Sequence, residues 1–593
     1  MKAVHESHHA QPRLVRGLSE SCLPFVTIWS TVCPEAGARP SASGRKAAAL
    51  RPAGRGTRMF RRQLMGSVPA IGGLASGLVA PAAVRAQQGR GNTLVVVTTP
   101  EPTVLTNAIN SAPSVAELGT KIYDGLLEYD MGMQPIPSLA ESWEVSADGK
   151  SVTFKLRQGV TWHDGQPFTS ADVAFSLLEV IKKFHPRGPG NLGPLEAVDT
   201  PDAHTAILRL AHPYPPMMKG LSSMECPIVA KHLYEGTDIR NNPANNRPVG
   251  TGPFRFAEWN RGSSIVLEKN PNYWRPGRPH LDRLIFRFIN DPATRAAALE
   301  SGEVDVAFFG TINPAEMRRL AGLPSIEIAR GGYEALAPVM LLELNTRKAP
   351  LDDKRVRQAL AYAIDRKFIV DNIWYGFGKP AVGPISSVYA PSGLYTDDVL
   401  RYDVPDRVAR ANALLDQAGL RRGAGGIRFE ITQDVGPYGD DYRRMGEYMR
   451  QAYNRIGVRL NLRTVDQATY VRRVYGEYDF DMTSGWYVGM GDPTLGVQRQ
   501  YVTSNIRQGI PFNNVARYSD PENDRLWAEA ATETDPAKRG QIFQAIQRKL
   551  VEDSPIIWIM EMELVALQNK RVKNLITTAL GVRGGLYETK LEG

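Results

Sequence analysis

The sequence predicts an α/β protein of several domains, and three observations carry that reading. From residue 405 onward short apolar runs alternate with amphipathic helical stretches, the pattern of strands and helices sharing one sheet. At 593 residues the chain exceeds one core, since a domain takes roughly 100–200 residues. The composition, 42% hydrophobic and 22% charged, is that of an ordinary globular protein.

The elements follow in order. Residues 93–99 (TLVVVTT) are β-branched and read as a buried strand, followed by the loop Pro100-Glu101-Pro102-Thr103. A helix over 114–127 places Leu118, Ile122 and Leu126 on one face. Two strands flank the turn Ala147-Asp148-Gly149, with Val152, Phe154 and Leu156 on one side at period two. Asp164-Gly165 makes a further turn, and Thr169-x-x-Asp172 is a capping-box start for a helix carrying Val173, Ser176 and Leu177. Gly250-x-Gly252 lacks the lysine and following helix of a phosphate cradle, so it reads as a tight turn into a hairpin, 254–259 and 265–269. A helix from 292, the turn Ser301-Gly302 and a strand 304–309 come next. The strand 339–345 (VMLLELN) then reads as a crossing between lobes. Helices between 352 and 375 restart at Asp365 and end at Gly376. The final α/β region is helix 405–418, strand 427–432, helix 440–456, strand 458–463, helix 466–476 and strand 479–484. Helices 521–533 and 536–552 and a β-rich run 555–560 close it.

The stretch 479–493 (DFDMTSGWYVGMGDP) is the leading candidate for function. Asp479 to Thr483 alternate like a half-buried strand; two glycines and Asp492-Pro493 then break it, with Trp486 and Tyr487 in the break. A strand ending in a glycine-rich aromatic loop is a ligand platform, because the strand fixes position and the rings supply apolar area. The bland alternative is that the aromatics are core and the glycines an ordinary turn. His163-Asp164 resembles half a catalytic triad, but no nucleophile elbow accompanies it and it reads as a turn. Six histidines follow residue 86, none at i,i+4 spacing, so no metal site is legible and no cofactor is implied.

The formal charge of +9 has a local origin. Residues 1–86 hold 12 Lys/Arg and three Asp/Glu, while the remaining 507 residues hold 59 of each sign. A nucleic-acid partner is therefore not indicated. Residues 1–58 lack any sustained period and read as an unstructured or over-extended N-terminus. Met59 to Ala86 read as a twin-arginine-like export signal, with Arg61-Arg62 before a mildly apolar stretch laced with Gly and Pro, ending at Val84-Arg85-Ala86. Cys22 and Cys33 lie in this leader, which leaves Cys226 alone in the body and no intramolecular disulfide there. The expected product is exported to the periplasm and not anchored.

Taken together, the blocks PSLAESWEVSADGKSVTFKLRQGVTWHDGQPFTSADVAFSL, VGTGPFRFAEWNRGSSIVLEKNPNYW, ALESGEVDVAF, NTRKAPLDDKRVRQALAYAIDRKFIV and DFDMTSGWYVGMGDP occur in that order. They resemble the extracytoplasmic solute-binding proteins of ABC transporters, in the dipeptide/oligopeptide-binding family (family 5), over nearly all of 92–590. The resemblance implies a two-lobed type II periplasmic-binding-protein clamshell with an extra inserted domain. One lobe would be 92–128, 249–337 and 562–593, the insertion 129–248 and the other lobe 338–561. It also implies a monomeric, non-enzymatic receptor that captures a peptide or peptide-like solute for a membrane-embedded ABC permease. In such proteins the loop resembles Trp-x-x-Asp-x-x-Asp/Glu-Pro, and its first acid pairs with the ligand's α-ammonium. Trp486 and Asp492-Pro493 match, but the acid is replaced by Gly489. A buried ammonium without its carboxylate costs several kcal/mol, so a non-peptide ligand such as a sugar or opine-like compound enters consideration. The candidate contacts are Trp486, Tyr487, Val488 and Gly489, with Thr103 and Val104 on the opposite wall and Asp492 as a structural turn residue. The competing readings are an exported hydrolase, for which no nucleophile or metal motif is found, and a peptide chaperone or sensor.

Overall fold

A computed structural model describes residues 91–592. The export signal, the residues before it and Cys22 and Cys33 lie outside these. Among the described residues no helix is long and apolar enough to cross a membrane.

Three sheets organise the chain. The first is seven-stranded. Thr93–Thr98 lies near its middle, parallel to both Arg283–Phe288 and Val306–Ala307, and the hairpin Phe254–Asn260 and Ser264–Lys269 extends one side. Ala566–Asn569, from near the end of the chain, closes the other side between Val306–Ala307 and Ile326–Ala329. The β-branched first strand is buried along almost its whole length, as expected of a strand covered on both faces. The second sheet has six strands in the order Gly378–Pro380, Ile556–Met562, Val339–Leu344, Met482–Tyr487, Phe429–Asp434, Val458–Arg463. The third is an antiparallel four-stranded sheet, Ala140–Val145, Ser151–Leu156, Thr205–Leu210 and Leu195–Asp202.

Local chemistry sets most boundaries. Thr169 and Asp172 form the capping box that opens helix Ser170–Phe175. Asp365 caps the restarted helix Arg366–Asn372 by accepting from the Phe368 amide. Pro521 and Pro536 open helices Pro521–Thr532 and Pro536–Asp553, behind Asp520 and Asp535 caps.

The first helix is shorter than its periodicity suggests, Pro113–Ile122 rather than 114–127. The Gly250-x-Gly252 turn packs on its last carbonyl: the Gly252 amide donates to Ile122 O at 2.9 Å. A Cβ on Gly250 would stand 2.6 Å from the Ile122 carbonyl carbon. His163 clasps the same turn. Gly250 N–H donates to its Nδ1 at 3.2 Å and Nε2 donates to Gly252 O at 2.9 Å. Burial pushes the imidazole pKa down to about 4, so it is neutral and structural. Asp164 serves its own turn, accepting from Gln166 N at 3.1 Å and from His232 Nε2 at 2.7 Å.

Asp305 joins three distant parts of the seven-stranded sheet. Its carboxylate accepts from Val95 N at 2.9 Å and from Arg571 Nη2 at 2.7 Å, and its own amide donates to Val95 O at 2.7 Å. Asp305 is fully buried. Asp305→Ala is expected to cost about 3–5 kcal/mol by leaving Arg571 unpaired. Urea unfolding of the variant beside wild type measures this; a loss below about 1 kcal/mol would contradict the role.

Candidate ligand-binding site

The chain crosses between the seven- and six-stranded sheets at 330–338 and again at 563–565. The two crossings run side by side: Arg330 pairs with Glu563, and Met562 N donates to Pro338 O at 3.0 Å. Strand Val339–Leu344 continues from the first crossing and lies antiparallel between Met482–Tyr487 and Ile556–Met562.

Here the structure corrects the sequence reading. Trp486 and Tyr487 are not in a loop but end the strand, opposite Met340 and Val339. Just before the strand, the Asp481 carboxylate accepts from Thr432 N at 2.7 Å and pairs with Lys348, while its carbonyl accepts from Asn345 N at 2.9 Å. Met482–Tyr487 is moreover buried almost throughout, since it has sheet neighbours on both sides. Trp486 remains half-buried and meets Phe309 edge to face, centroids 6.3 Å apart at 72°. Phe309 follows strand Val306–Ala307 of the other sheet, so this pair spans the two. Phe309 also lines a cavity with Glu117, Tyr333, Leu336, Leu564 and Arg583. Its free volume of about 30 Å³ is room for one or two waters.

Tyr487 turns inward. Its hydroxyl donates to Glu343 Oε1 at 2.7 Å, and the guanidinium of Arg499 lies 5.6 Å from its ring centroid. Burial pushes the Glu343 carboxyl up to about 8, only partly opposed by the Tyr487 bond and the Arg499 charge. Glu343 is therefore mainly protonated at neutral pH.

Val488 is half-buried and Gly489 is buried. Gly489 N donates to Leu336 O at 2.6 Å, fastening the loop to the first crossing. A Cβ there would stand 2.9 Å from both Cε2 and Cζ of Tyr389, so the position of the family acid is filled by a phenol ring. Tyr389 sits in the short helix Ser387–Ser392, anchored where Ser386 and Ser387 donate to Glu561 Oε2 at 2.7 Å each. Burial, reinforced by the nearby Asp492 carboxylate, keeps the Tyr389 hydroxyl protonated. Asp492 itself caps Pro493–Gly496 by accepting from Thr494 N at 2.9 Å. It also takes a two-point pair from Arg539, at 2.7 and 2.9 Å.

Thr103 is exposed and Val104 half-buried in the loop after the first strand. Thr103 Oγ1 accepts from Asn110 Nδ2 at 3.3 Å, and neither residue lines the Phe309 cavity. Sequence reasoning missed Tyr389, whose type and spacing carry no motif. Glu343 did leave a signal, as a lone acid inside the apolar run VMLLELN. Among the described residues no group of three or more metal-ligating side chains occurs.

The model of bacterial extracellular solute-binding proteins, family 5 (middle) matches residues 134–508. The chain belongs to that family. This solute-binding protein is 29% identical over 537 residues to "Heme-binding protein A" of Haemophilus influenzae, covering 86% of this chain and 94% of the relative. It is 28% identical over 482 residues to the "Dipeptide-binding protein" of Escherichia coli K12, covering 78% and 87%. Among solved structures it is similar to PBP AgaA from A. tumefaciens R10 in complex with agropinic acid, with TM-score 0.67, 29% identity and coverage of 84% and 99%. The fold is the type II periplasmic-binding-protein clamshell, and family members are receptors that capture solutes outside the cytoplasm for ABC transporters.

Two outcomes test the site's construction. Gly489→Asp is expected to lower stability by about 1–3 kcal/mol through overpacking against Tyr389. Combining it with Tyr389→Ala should cost less than the sum of the single changes, read by double-mutant unfolding curves. For Glu343, the folded pKa of about 8 lies above the usual 4.5. The folded state thus holds a proton that the unfolded state releases. Stability from this group is greatest below pH 4.5 and falls by ~1.4 kcal/mol per unit until pH 8. Glu343→Gln should flatten that slope in unfolding curves measured between pH 5 and 8.

Proposed function

We propose that this receptor closes two lobes on a small organic solute lacking a free α-ammonium at position 489 and hands it to a membrane-embedded ABC permease. One observation carries the reading: Tyr389 occupies the space beside Gly489 where a carboxylate would stand. A peptide amino terminus placed there would lose its hydration without gaining a counter-charge. Trp486, Val488 and the backbone at Gly489 form one wall of the ligand space, with Tyr487 behind it. Thr103 and Val104 would reach the ligand only from the opposite lobe. The small cavity at Phe309 fits an arrangement in which lobes part to admit a ligand and close over it.

In this reading one lobe comprises 92–128, 249–337 and 562–593, the insertion 129–248, and the second lobe 338–561. The protein works as a monomer, reaches the periplasm by the twin-arginine route and performs no catalysis. The agropinic acid bound to the AgaA relative keeps opine-like compounds within the ligand class, and the dipeptide-binding relatives keep peptide-like molecules with a blocked amino end.

Purification of the exported protein without denaturation, followed by native mass spectrometry, is expected to reveal a retained molecule of a few hundred daltons. X-ray scattering should show compaction when it rebinds. Micromolar binding of free α-amino dipeptides such as Ala-Ala would overturn the argument from residue 489, and chemical turnover of the retained molecule would overturn the receptor reading.

A further inference from the structure

One side chain from the six-stranded sheet's side of the crossings is buried in the core of the other side. That core gathers Val95, Leu299 and Leu320 around the seven-stranded sheet, with Val565 and Leu567 from the second crossing and the strand after it. Phe377 belongs to the same cluster, only 5% exposed, and Tyr375 packs against it. Yet Phe377 immediately precedes Gly378–Pro380, an edge strand of the six-stranded sheet.

Its mounting is rigid. After helix Arg366–Asn372 the chain bends, with positive φ at Tyr375 (52°) and Gly376 (84°). The Gly376 amide donates to Val370 O and the Phe377 amide to Trp374 O, each at 2.9 Å. Arg444, on helix Asp440–Arg455, braces the bend by donating from Nη2 to the Tyr375 hydroxyl at 3.1 Å. Gly378 then pairs with Met562, and a Cβ on Gly378 would overlap the Glu561 carbonyl. The segment therefore lies flat against the strand that leads into the second crossing.

Strand order gives this placement its leverage. The strands that continue the two crossings, Val339–Leu344 and Ile556–Met562, are neighbours in the sheet. Met482–Tyr487, which carries Trp486, lies on one side of them, and Gly378–Pro380 lies on the other. The crossings thus form a fulcrum between two contacts that span the sheets. Trp486 meets Phe309 on the ligand side, and Phe377 enters the cluster behind. A rotation that parts Trp486 from Phe309 drives Phe377 further into that cluster, and close-packed interiors yield little. The opposite rotation draws the ring out and returns its apolar surface to water. Beside it runs a groove with about 410 Å³ of free volume, bordered by Ala321, Ile328 and Arg330 on one side and Asp371 on the other.

We propose that Phe377 is a hinge-side pin that fixes the angle between the lobes near closure, and so sets solute affinity from outside the ligand space. This inference rests on the receptor reading and adds a determinant of its affinity.

The test uses the exported protein dialysed free of retained solute and spin-labelled at Glu258→Cys and Asn461→Cys. These exposed positions lie on the edge strands farthest from the crossings, and the native Cys226 is buried. Phe377→Ala should lengthen and broaden the label-to-label distance, with Phe377→Leu falling between it and wild type. Ala321→Trp, which fills the groove behind the hinge, should shorten the distance. Loss of stability alone does not move the two in opposite directions, and melting curves on the same samples show that each is folded. Calorimetry with the solute recovered from the purified protein should show about tenfold weaker binding in Phe377→Ala, as when about one molecule in ten stays competent. Ala321→Trp should bind it more tightly. Distances unaltered by Phe377→Ala, or shifted the same way by both changes, overturn the pin. Tighter binding in Phe377→Ala, the sign of a wedge that opposes closure, overturns it as well. The label distances decide the pin even where no solute is retained, whereas turnover of a retained solute sinks the receptor alone.

Discussion

The loop from Val488 to Pro493, at the candidate site, depends on one buried ion pair. Asp492 and Arg539 meet through two short bonds with both side chains almost wholly withdrawn from water. The pair ties the end of the segment after Met482–Tyr487 to helix Pro536–Asp553. The same carboxylate caps Pro493–Gly496, so the loop's course from Val488 to Pro493 is held from its far end while Leu336 O holds it at Gly489. A charge buried this deeply is tolerated only with its partner in place. This makes the loop rigid and lets a backbone position with no side chain still define a boundary.

Much of the fold was legible because it rests on local chemistry. The Thr169 capping box, the Asp365 restart and the prolines opening the two last long helices each satisfy helix-end donors with side chains close in sequence. Failures occurred where distant contacts override periodicity. The first helix stops at Ile122 because a turn from residues 250–252 lands on its final carbonyls. Strand Met482–Tyr487 is displaced because its ladder is set by Val339–Leu344. Alternation across 479–483 suggested one wet face, yet a central strand has none.

The candidate site was legible in part. Trp486 stands at the meeting of the two sheets, and the loss of the acid at residue 489 could be read by comparison with the family's pattern. What replaces that acid could not be read, because Tyr389 lies a hundred residues upstream on an unremarkable short helix.

The contact of Tyr389 with Gly489 also bears on how such a receptor can change its diet. An acid at 489 crowds the ring while the ring is present, and removing the ring first opens a void in the interior. Neither single replacement is neutral for stability, so the residues at 389 and 489 are coupled by sterics, and a smaller residue at 389 would ease an acid at 489.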